Sequence, residues 1–284
     1  MQSNDAASRL IQVEQRMRLL VLHDTGDAGD AAVHHLSAGG SRVRARLALH
    51  ACGALGVADE QAVAVAAACE LLHNASLVHD DLQDRDTQRR GHDTVWRKHG
   101  DAAAICVGDL LLSAAYGALA PTGAAIGELI SRMHKRVGTV IRGQCDDLAL
   151  QGGTLTSLET YERVARGKSG PLLILPLELA LVLAGRLDAI NTAVEAGSLF
   201  AVGYQAADDL DDVERDALNE ELNVVAVLAA CGEQRPHEAA RALAINRFEQ
   251  CLAAAARMPQ NSGELLASQA RRRAAMLAEI TASA

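Results

Sequence analysis

Two clusters of aspartates are the residues in this chain whose types and spacing most clearly suggest chemistry. They read Asp80-Asp81-Leu82-Gln83-Asp84 and Asp208-Asp209-Leu210-Asp211-Asp212. Residues four apart lie on the same face of an α-helix, so the first and last aspartates of each cluster project side by side. Carboxylates held in this way repel one another unless a cation neutralises them. Mg²⁺ prefers such oxygen ligands together with water and phosphate oxygens, so the spacing predicts magnesium sites that act on a diphosphate.

An acidic run is also typical of a solvated helix face, and one such cluster alone leaves both interpretations open. The residues that precede the clusters favour the metal site. Both clusters follow apolar stretches, at 75–78 and 199–202, where a solvated face would continue with polar residues. We therefore expect each cluster to lie at the inner end of a buried helix, where its carboxylates need partners.

The composition indicates the elements that must position these carboxylates. Of the 284 residues, 49% are apolar but only 2% are aromatic, and there are only five prolines. An aliphatic core rich in alanine favours close-packed helices over strands. The apolar segments between the polar breaks predict about ten helices with no linker, so we expect an all-α fold with one domain over residues 1–284. A capping box at Thr156-Ser157-Leu158-Glu159 predicts the start of one helix.

Charge, cysteines and hydropathy exclude several classes of function. The net charge of −9 argues against nucleic acid as a partner, and the few aromatics argue against stacking on single strands. The six cysteines show no C-x-x-C spacing and predict reduced core thiols in a cytoplasmic protein. We expect no transmembrane segment, because no apolar run reaches the roughly 18 residues that a bilayer requires.

The sequence around both clusters resembles the trans-isoprenyl diphosphate synthases, the polyprenyl synthetase family, from about residue 39 to residue 212. Segments similar to the family's motifs occur in the family's order. They are Ser76-Leu77-Val78-His79 before the first cluster, Arg89-Arg90-Gly91, Gly108-Asp109-Leu110-Leu111, Gly143-Gln144, Gly167-Lys168-Ser169-Gly170, and Tyr204-Gln205 before the second cluster.

The resemblance implies an isoprenoid synthase-type helical bundle around a central cavity, acting as a homodimer. It implies that the two clusters face each other and hold three Mg²⁺ ions on the diphosphate of an allylic substrate, with ligands Asp80, Asp81, Asp84, Asp208, Asp209 and Asp212. Residues matching the family's contacts to that diphosphate are Arg89, Lys168, Ser169 and Gln205. Those matching its contacts to isopentenyl diphosphate are Arg42, Arg44, His73 and Arg90. Gln144 and Asp147 match polar residues beside the reaction centre.

The activity implied is that of a magnesium-dependent trans-prenyltransferase. Metal ions, Arg89 and Lys168 are expected to stabilise the charge on the departing diphosphate, so that the allylic C–O bond ionises and isopentenyl diphosphate adds to the cation. Product length in this family depends on the residues just before the first cluster. Ala75 and Ser76 are small at this point, which predicts a deep pocket with geranylgeranyl diphosphate as the favoured product and farnesyl diphosphate as the second.

The chain departs from the family pattern where isopentenyl diphosphate is expected to bind and also after the second cluster, where the segment 213–223 is shortened. Ser41 stands where the family has a lysine, Ala45 stands where it has a proline, and no lysine follows Lys168. Two alternatives therefore stay open. One is a terpene-synthase-like enzyme that ionises an allylic diphosphate without condensation. The other is a non-catalytic subunit that regulates another synthase, although such a subunit has no use for mutually repelling carboxylates.

Overall fold

Helices make up nearly all the regular structure of the protein. The computed structural model describes residues 2–22, 26–150, 157–168, 170–218 and 221–282, with side chains described over 7–22, 26–146, 157–168, 170–218 and 221–279. The described helices are α1 Gln2–Leu22, α2 Gly26–Ser37, α3 Val43–Ala54, α4 Asp59–Gln83, α5 Val95–His99, α6 Asp101–Gly117, α7 Ile126–Leu150, α8 Leu158–Lys168, α9 Gly170–Leu183, α10 Ile190–Asp211, α11 Val213–Leu218, α12 Val224–Ala230, α13 Pro236–Ala255 and α14 Glu264–Ala282. The all-α prediction is confirmed.

The predicted number of about ten helices is too low, since fourteen α-helices lie in the described residues alone. Three of them, α5, α11 and α12, have only five to seven residues. Segments of one to two turns are shorter than the window over which a helical periodicity can be read from sequence.

The helices divide between two compact units. One unit comprises residues 1–131 and 179–186, and the other comprises residues 132–178 and 187–284. Two long helices, α7 and α9, contribute residues to both units. The expectation of a single domain over residues 1–284 stays a prediction.

The first unit is built on α4, which packs against α1, α3 and α6. Alanines at 62, 64 and 66–68 are fully buried, and this row of small side chains allows the neighbouring helices to approach closely. α4 is also long and apolar enough to cross a membrane, but 78% of its apolar window is buried inside the protein. A bent pair, Asp101–Gly117 with Ala120–Asp146, meets the same criterion together. Buried core helices commonly meet this criterion of length and hydropathy. One such helix and one bent pair are therefore weak evidence for a membrane segment.

The second unit is built on α10 and α13, and α13 packs in turn on α14. Phe200 of α10 meets Phe248 of α13 edge to face, with their ring centroids 5.6 Å apart. This pair contains both phenylalanines of the chain, and Tyr161 is the one other aromatic side chain among the buried hydrophobic residues that the structure describes. The rest of the described core is almost entirely aliphatic. The aliphatic core expected from the composition is thus confirmed.

A small hairpin follows the first aspartate cluster and was not predicted. Its strands are β1 Gln88–Arg89 and β2 His92–Asp93, with Arg89 opposite His92. The two turn residues, Arg90 and Gly91, both have positive φ, at 54° and 78°. This is the backbone of a two-residue type I′ turn, which usually carries Asn or Gly at its first central position. The Arg-Arg-Gly motif is therefore a turn that fixes two neighbouring arginines.

The cysteine prediction is only half right. All six cysteines are free, but Cys106, Cys145 and Cys231 are exposed while only Cys52, Cys69 and Cys251 are buried. Cys106 and Cys145 lie at exposed positions of α6 and α7, and Cys231 follows the end of α12. The apolar pattern of the sequence did not distinguish these positions from the core.

The start of α8 lies one residue later than predicted. Ser157 is its cap, because the Ser157 hydroxyl accepts a hydrogen bond from the Thr160 N–H at 3.2 Å. The predicted cap, Thr156, lies outside the described residues.

The other end of α8 lies directly against α7. A Cβ placed on Gly143 of α7 would be 2.5 Å from the carbonyl carbon of Gly167 and 2.8 Å from the Lys168 nitrogen. The two helix backbones therefore touch where Lys168 leaves α8, and only a glycine fits at position 143.

We expect Gly143→Ala to lower the free energy of unfolding by about 1–3 kcal/mol, because the new methyl group would overlap backbone atoms that cannot rotate away. Gly138→Ala on the same helix is the matched control, since a Cβ there meets nothing within 4 Å. The control should be neutral or stabilising by about 0.5–1 kcal/mol. Urea unfolding followed by circular dichroism measures both, and equal stability of the two variants would contradict the backbone contact.

Candidate active site

The first aspartate cluster ends α4. Asp84 is the residue that follows the last helical turn, and its N–H donates to the Asp80 carbonyl at 2.8 Å. Arg85 then takes a left-handed conformation with φ of 59°, and the Asp86 N–H donates to the Asp81 carbonyl at 3.0 Å. The second bond, together with the left-handed Arg85, is the 6→1 bond that ends a helix in a Schellman motif, and it stops α4 at the cluster. Asp80 and Asp84 thus stand one turn apart, as predicted.

The three carboxylates of this cluster differ in burial. Asp81 is only 1% exposed, whereas Asp80 is half-buried and Asp84 is exposed. Arg89 of the hairpin donates to Asp81 Oδ1, with its Nε at 2.6 Å and its Nη2 at 2.5 Å. Burial raises the pKa of Asp81, and the Arg89 bond and charge oppose that rise. Asp81 is therefore the inner carboxylate that anchors the hairpin to the helix.

One oxygen of Asp81 lacks a hydrogen-bond partner, and this bears on whether the cluster can bind a metal ion. Asp81 Oδ2 is buried and has no hydrogen-bond partner among the described residues. An unpaired buried carboxylate oxygen is costly, because it has lost its water and gained nothing in exchange. A divalent cation would satisfy it, and carboxylate oxygens are ligands that Mg²⁺ prefers. Among the described residues, however, no three His, Cys, Asp or Glu side chains already converge on one metal position.

Arginines gather next to this cluster. Arg90 donates from Nη1 to the Gly39 carbonyl, and its guanidinium lies where a side chain at position 40 would be, 2.5 Å from a Cβ built on Gly40. The pKa of Arg90 is lowered by burial and by the charges of Arg42 and Arg89. Because these positive charges repel one another, a bound anion would stabilise them, so the arginines form a candidate anion-binding site.

His73 and Arg44 form one pair within this group. Arg44 Nη1 lies 3.1 Å from His73 Nε2. Burial and then the Arg44 charge lower the pKa of His73 well below its ordinary value, so the ring is neutral and accepts this bond. Both residues are predicted from the sequence to bind isopentenyl diphosphate, and the structure brings them together.

Arg42 has a different environment from the other arginines. It is only 5% exposed, and it donates to Glu14 Oε1 at 2.5 Å, to Glu14 Oε2 at 3.2 Å and to the Leu36 carbonyl at 2.9 Å. Glu70 lies 3.8 Å from its Nη1. These contacts tie α1, α2 and α4 together around the start of α3, so most of this guanidinium is committed to the protein.

The second cluster repeats the arrangement on α10 with different partners. Asp209 is only 2% exposed and accepts three hydrogen bonds, each of 2.8 Å, from the Tyr161 hydroxyl, the Gln205 amide and the Val224 N–H. Asn223 also donates to the Asp209 carbonyl at 2.8 Å. Burial raises the pKa of Asp209 to about 6, against the opposing effect of these bonds. Asp209 is thus an anchor that joins α10 to α8 and α12.

Asp208 and Asp212 are the accessible members of the second cluster, and they are half-buried. Burial raises the pKa of Asp208 to about 6, while the charge of Arg273 and a bond from Tyr204 oppose the rise. Arg215 donates to Asp212 at 2.8 Å and to Asp216 at 3.2 Å. In both clusters one almost fully buried aspartate is held by the protein, and the two outer ones are more exposed to solvent.

The other predicted residues are distributed between the units. Lys168 and Gln144 are half-buried in the second unit, on either side of the Gly143–Gly167 contact. Ala75 is buried and Ser76 half-buried in the first unit, within α4. Ser169 and the Asp147 side chain lie outside the described residues.

Several residues of the site were missed from the sequence. Tyr161 and Asn223 hold Asp209, and neither was singled out. Asn223 precedes the apolar run 224–230 and accepts from the Val225 N–H at 2.9 Å, so the preference for asparagine at helix N-caps could have revealed it. No pattern in the sequence marks Tyr161.

Comparison with known proteins places this geometry in context. The polyprenyl synthetase family model matches residues 28–224. The (2E,6E)-farnesyl diphosphate synthase of Mycobacterium tuberculosis is 35% identical over 173 residues, covering 60% of this chain and 48% of the relative. The chloroplastic geranylgeranyl pyrophosphate synthase of Capsicum annuum is 35% identical over 210 residues, covering 69% and 56%. The chain spans about half the length of the curated relatives it matches.

Solved structures show the same fold. A decaprenyl diphosphate synthase from Rhodobacter capsulatus superposes with a TM-score of 0.87 at 21% identity, covering 97% of this chain and 98% of that one. An FPP/GFPP synthase from Zymomonas mobilis gives 0.80 at 26% identity, covering 96% and 100%. The expected isoprenoid synthase-type fold is confirmed.

We expect Tyr161→Phe to lower the free energy of unfolding by about 1.5–3 kcal/mol, because Asp209 loses a hydrogen bond in a buried site. Tyr116→Phe in the other unit, where the tyrosine is only half-buried, is the control and should cost less. Urea unfolding compares the two. A Tyr161 variant as stable as the control would show that Asp209 does not depend on this bond.

Proposed function

Because the chain belongs to the polyprenyl synthetase family, we propose that it is a prenyltransferase that condenses an allylic diphosphate with isopentenyl diphosphate. The observation that carries this proposal is the buried Asp81 oxygen without a protein partner, at the end of a helix that also bears Asp80 and Asp84. The arginines next to the cluster, Arg89 and Arg90, support the binding of an anionic substrate beside the proposed metal site. The farnesyl and geranylgeranyl synthases among the similar proteins support the same reaction class.

The residues of the chain have separable roles in this reaction. Mg²⁺ at the two clusters, three ions by resemblance, would supply Lewis-acid stabilisation of the departing diphosphate. Asp80, Asp81, Asp84, Asp208 and Asp212 would hold these ions, while Asp209, whose two oxygens accept hydrogen bonds from the protein, would fix the end of α10. Arg89 and Lys168 would bind the allylic diphosphate, and Arg44, His73 and Arg90 would bind isopentenyl diphosphate. Gln205 would orient Asp209, to which it donates at 2.8 Å.

Ionisation without condensation is the second candidate function. The observation that favours it is the burial of Arg42, which donates to Glu14 and to Leu36 rather than presenting its guanidinium to a substrate. Ser41 lacks the charge that the family has at the same point. A weakened site for isopentenyl diphosphate beside intact metal clusters would leave the allylic cation to cyclise or to react with water.

For the product, we propose geranylgeranyl diphosphate. Ala75 is only 4% exposed, and Ser76 is half-buried with its hydroxyl donating to the His73 carbonyl at 2.9 Å. Both are small side chains on the turn of α4 before Asp80, and their size supports a pocket deep enough for a longer prenyl tail.

The activity test is to incubate the protein with Mg²⁺ and farnesyl diphosphate, with and without isopentenyl diphosphate, and to identify products by mass. We expect a longer prenyl diphosphate only when both substrates are present. Asp80→Ala should lower the rate by roughly a hundredfold or more, since it removes charge stabilisation of the leaving group. Asp59→Ala, at the exposed opposite end of α4, is the control and should keep the wild-type rate.

Each other outcome has a definite meaning. A hydrocarbon or alcohol formed from farnesyl diphosphate alone would establish the second candidate function. A wild-type rate in the Asp80 variant would exclude the first cluster from catalysis, and no product from any substrate pair would favour a non-catalytic subunit.

Replacing Ser76 with phenylalanine should shorten the product to fifteen carbons or fewer, because an aromatic ring would enter the space proposed for the tail. Ala75→Phe should act in the same direction, but it places the ring at a more buried position and is expected to cost stability as well. Geranyl diphosphate with isopentenyl diphosphate serves as the assay, with product length read by mass. An unchanged length in a folded Ser76 variant would mean that the tail runs elsewhere.

A further inference from the structure

An arginine of the last helix reaches the second aspartate cluster. Arg273 lies on α14, and its Nη1 is 3.9 Å from Asp208 Oδ1. Its guanidinium carbon stands 4.0 Å from the centroid of the Tyr204 ring. An arginine plane at this distance from an aromatic face is held by a cation–π interaction. Tyr204 and Asp208 are one turn apart on α10, so Arg273 is fixed on the face of α10 that bears the cluster.

The contact between Arg273 and Asp208 is an ion pair without a hydrogen bond, because 3.9 Å exceeds hydrogen-bond distance. Arg89 and Asp81 in the first cluster are different, since they are joined at 2.5–2.6 Å. Stacking on Tyr204, rather than bonding to the carboxylate, therefore sets the position of Arg273. The positive charge of Arg273 therefore lies beside Asp208 while its guanidinium forms no hydrogen bond to the Asp208 carboxylate.

A cavity opens next to this arginine. It has a volume of about 340 Å³ and lies between α10 and α14. Its polar lining consists of Asp208, Asp211, Gln269, Arg272 and Arg273. A cavity that combines two carboxylates with two guanidinium groups suits a ligand that carries both signs of charge, such as a diphosphate with its metal ions.

The charge balance of the second cluster calls for such a cation. The chain has no lysine after Lys168. Arg215, which follows the cluster, donates to Asp212 and Asp216. Asp208, the other accessible carboxylate, has Arg273 beside it. A diphosphate brought to Asp208 by metal ions would therefore lie beside an arginine of α14 that is not hydrogen-bonded to the cluster.

We propose that Arg273 is a substrate-binding residue of the second cluster, whose guanidinium contacts the diphosphate held there by metal ions. This role rests on the proposed function, in which the second cluster binds a metal–diphosphate complex. It makes α14 part of the active site rather than only a helix that covers α13. Arg272, which lines the same cavity, adds charge without the stacking contact.

The test measures the binding of inorganic pyrophosphate and of Mg²⁺ separately by isothermal titration calorimetry. Arg273→Gln should weaken pyrophosphate binding in the presence of Mg²⁺ by about tenfold or more. In the absence of pyrophosphate, this variant should bind Mg²⁺ no more weakly than the wild type, because the positively charged Arg273 does not attract the metal ion. Arg271→Gln is the matched control. Arg271 precedes Arg273 on α14, is exposed and pairs with Glu264 at 3.6 Å, and this variant should match the wild type.

Arg273→Lys keeps the charge and guards against a fold defect in the glutamine variant. It should bind pyrophosphate more tightly than Arg273→Gln but less tightly than the wild type, since an ammonium lacks the planar fork that stacks and donates in pairs. Unaltered pyrophosphate affinity in Arg273→Gln would overturn the proposal. So would an equal loss of Mg²⁺ and pyrophosphate binding, which would assign Arg273 to maintaining the cluster itself.

The wild-type titration separates this proposal from the one on which it rests. If the wild-type protein binds pyrophosphate with Mg²⁺ and the Arg273 variants do so equally well, only the role of Arg273 is wrong. If the wild-type protein binds no pyrophosphate with Mg²⁺, the proposed function is wrong, and the role of Arg273 is wrong with it.

Discussion

The structure depends on the burial of one carboxylate at the end of each of two long helices. Removing a carboxylate from water is costly, and it is tolerated only where charges or hydrogen bonds compensate. Asp81 and Asp209 are both almost completely buried. The elements next to them, a hairpin in one unit and the starts of α8 and α12 in the other, are placed so that their donors reach these two oxygen pairs. The helix ends are consequently held in position before any ligand arrives.

The two units meet this requirement in chemically different ways. Asp81 is paired with a cation, and one of its oxygens stays without a protein partner. Asp209 is surrounded by neutral donors, a phenol, an amide and a backbone N–H, which occupy both of its oxygens. Asp81 can therefore share a metal ion directly, whereas Asp209 serves the outer aspartates by holding the helix from which they project. The second aspartates of two similar sequence motifs therefore have different roles in the structure.

The helical class, both clusters and the Arg44–His73 neighbourhood are predictable from the sequence, because they depend on helical spacing and on motifs with fixed order. The hairpin is not, since Arg90 occupies a left-handed turn position at which arginine has no preference. The three aspartates of each cluster look equivalent in the sequence, because burial depends on which helices pack nearby and not on local spacing. Tyr161 lies 48 residues from Asp209 along the chain. No local pattern encodes a contact made over such a distance.

The contact between Gly143 and Gly167 has a consequence for how this chain can change over evolutionary time. Where two helices meet through side chains, each substitution at the interface shifts their separation. At Gly143 and Gly167 the separation of the two helices is limited by backbone atoms, and Lys168 follows directly after this contact. Side chains elsewhere along α7 and α8 can therefore vary in size without moving Lys168. A new substrate preference can arise around that lysine while its placement stays constant.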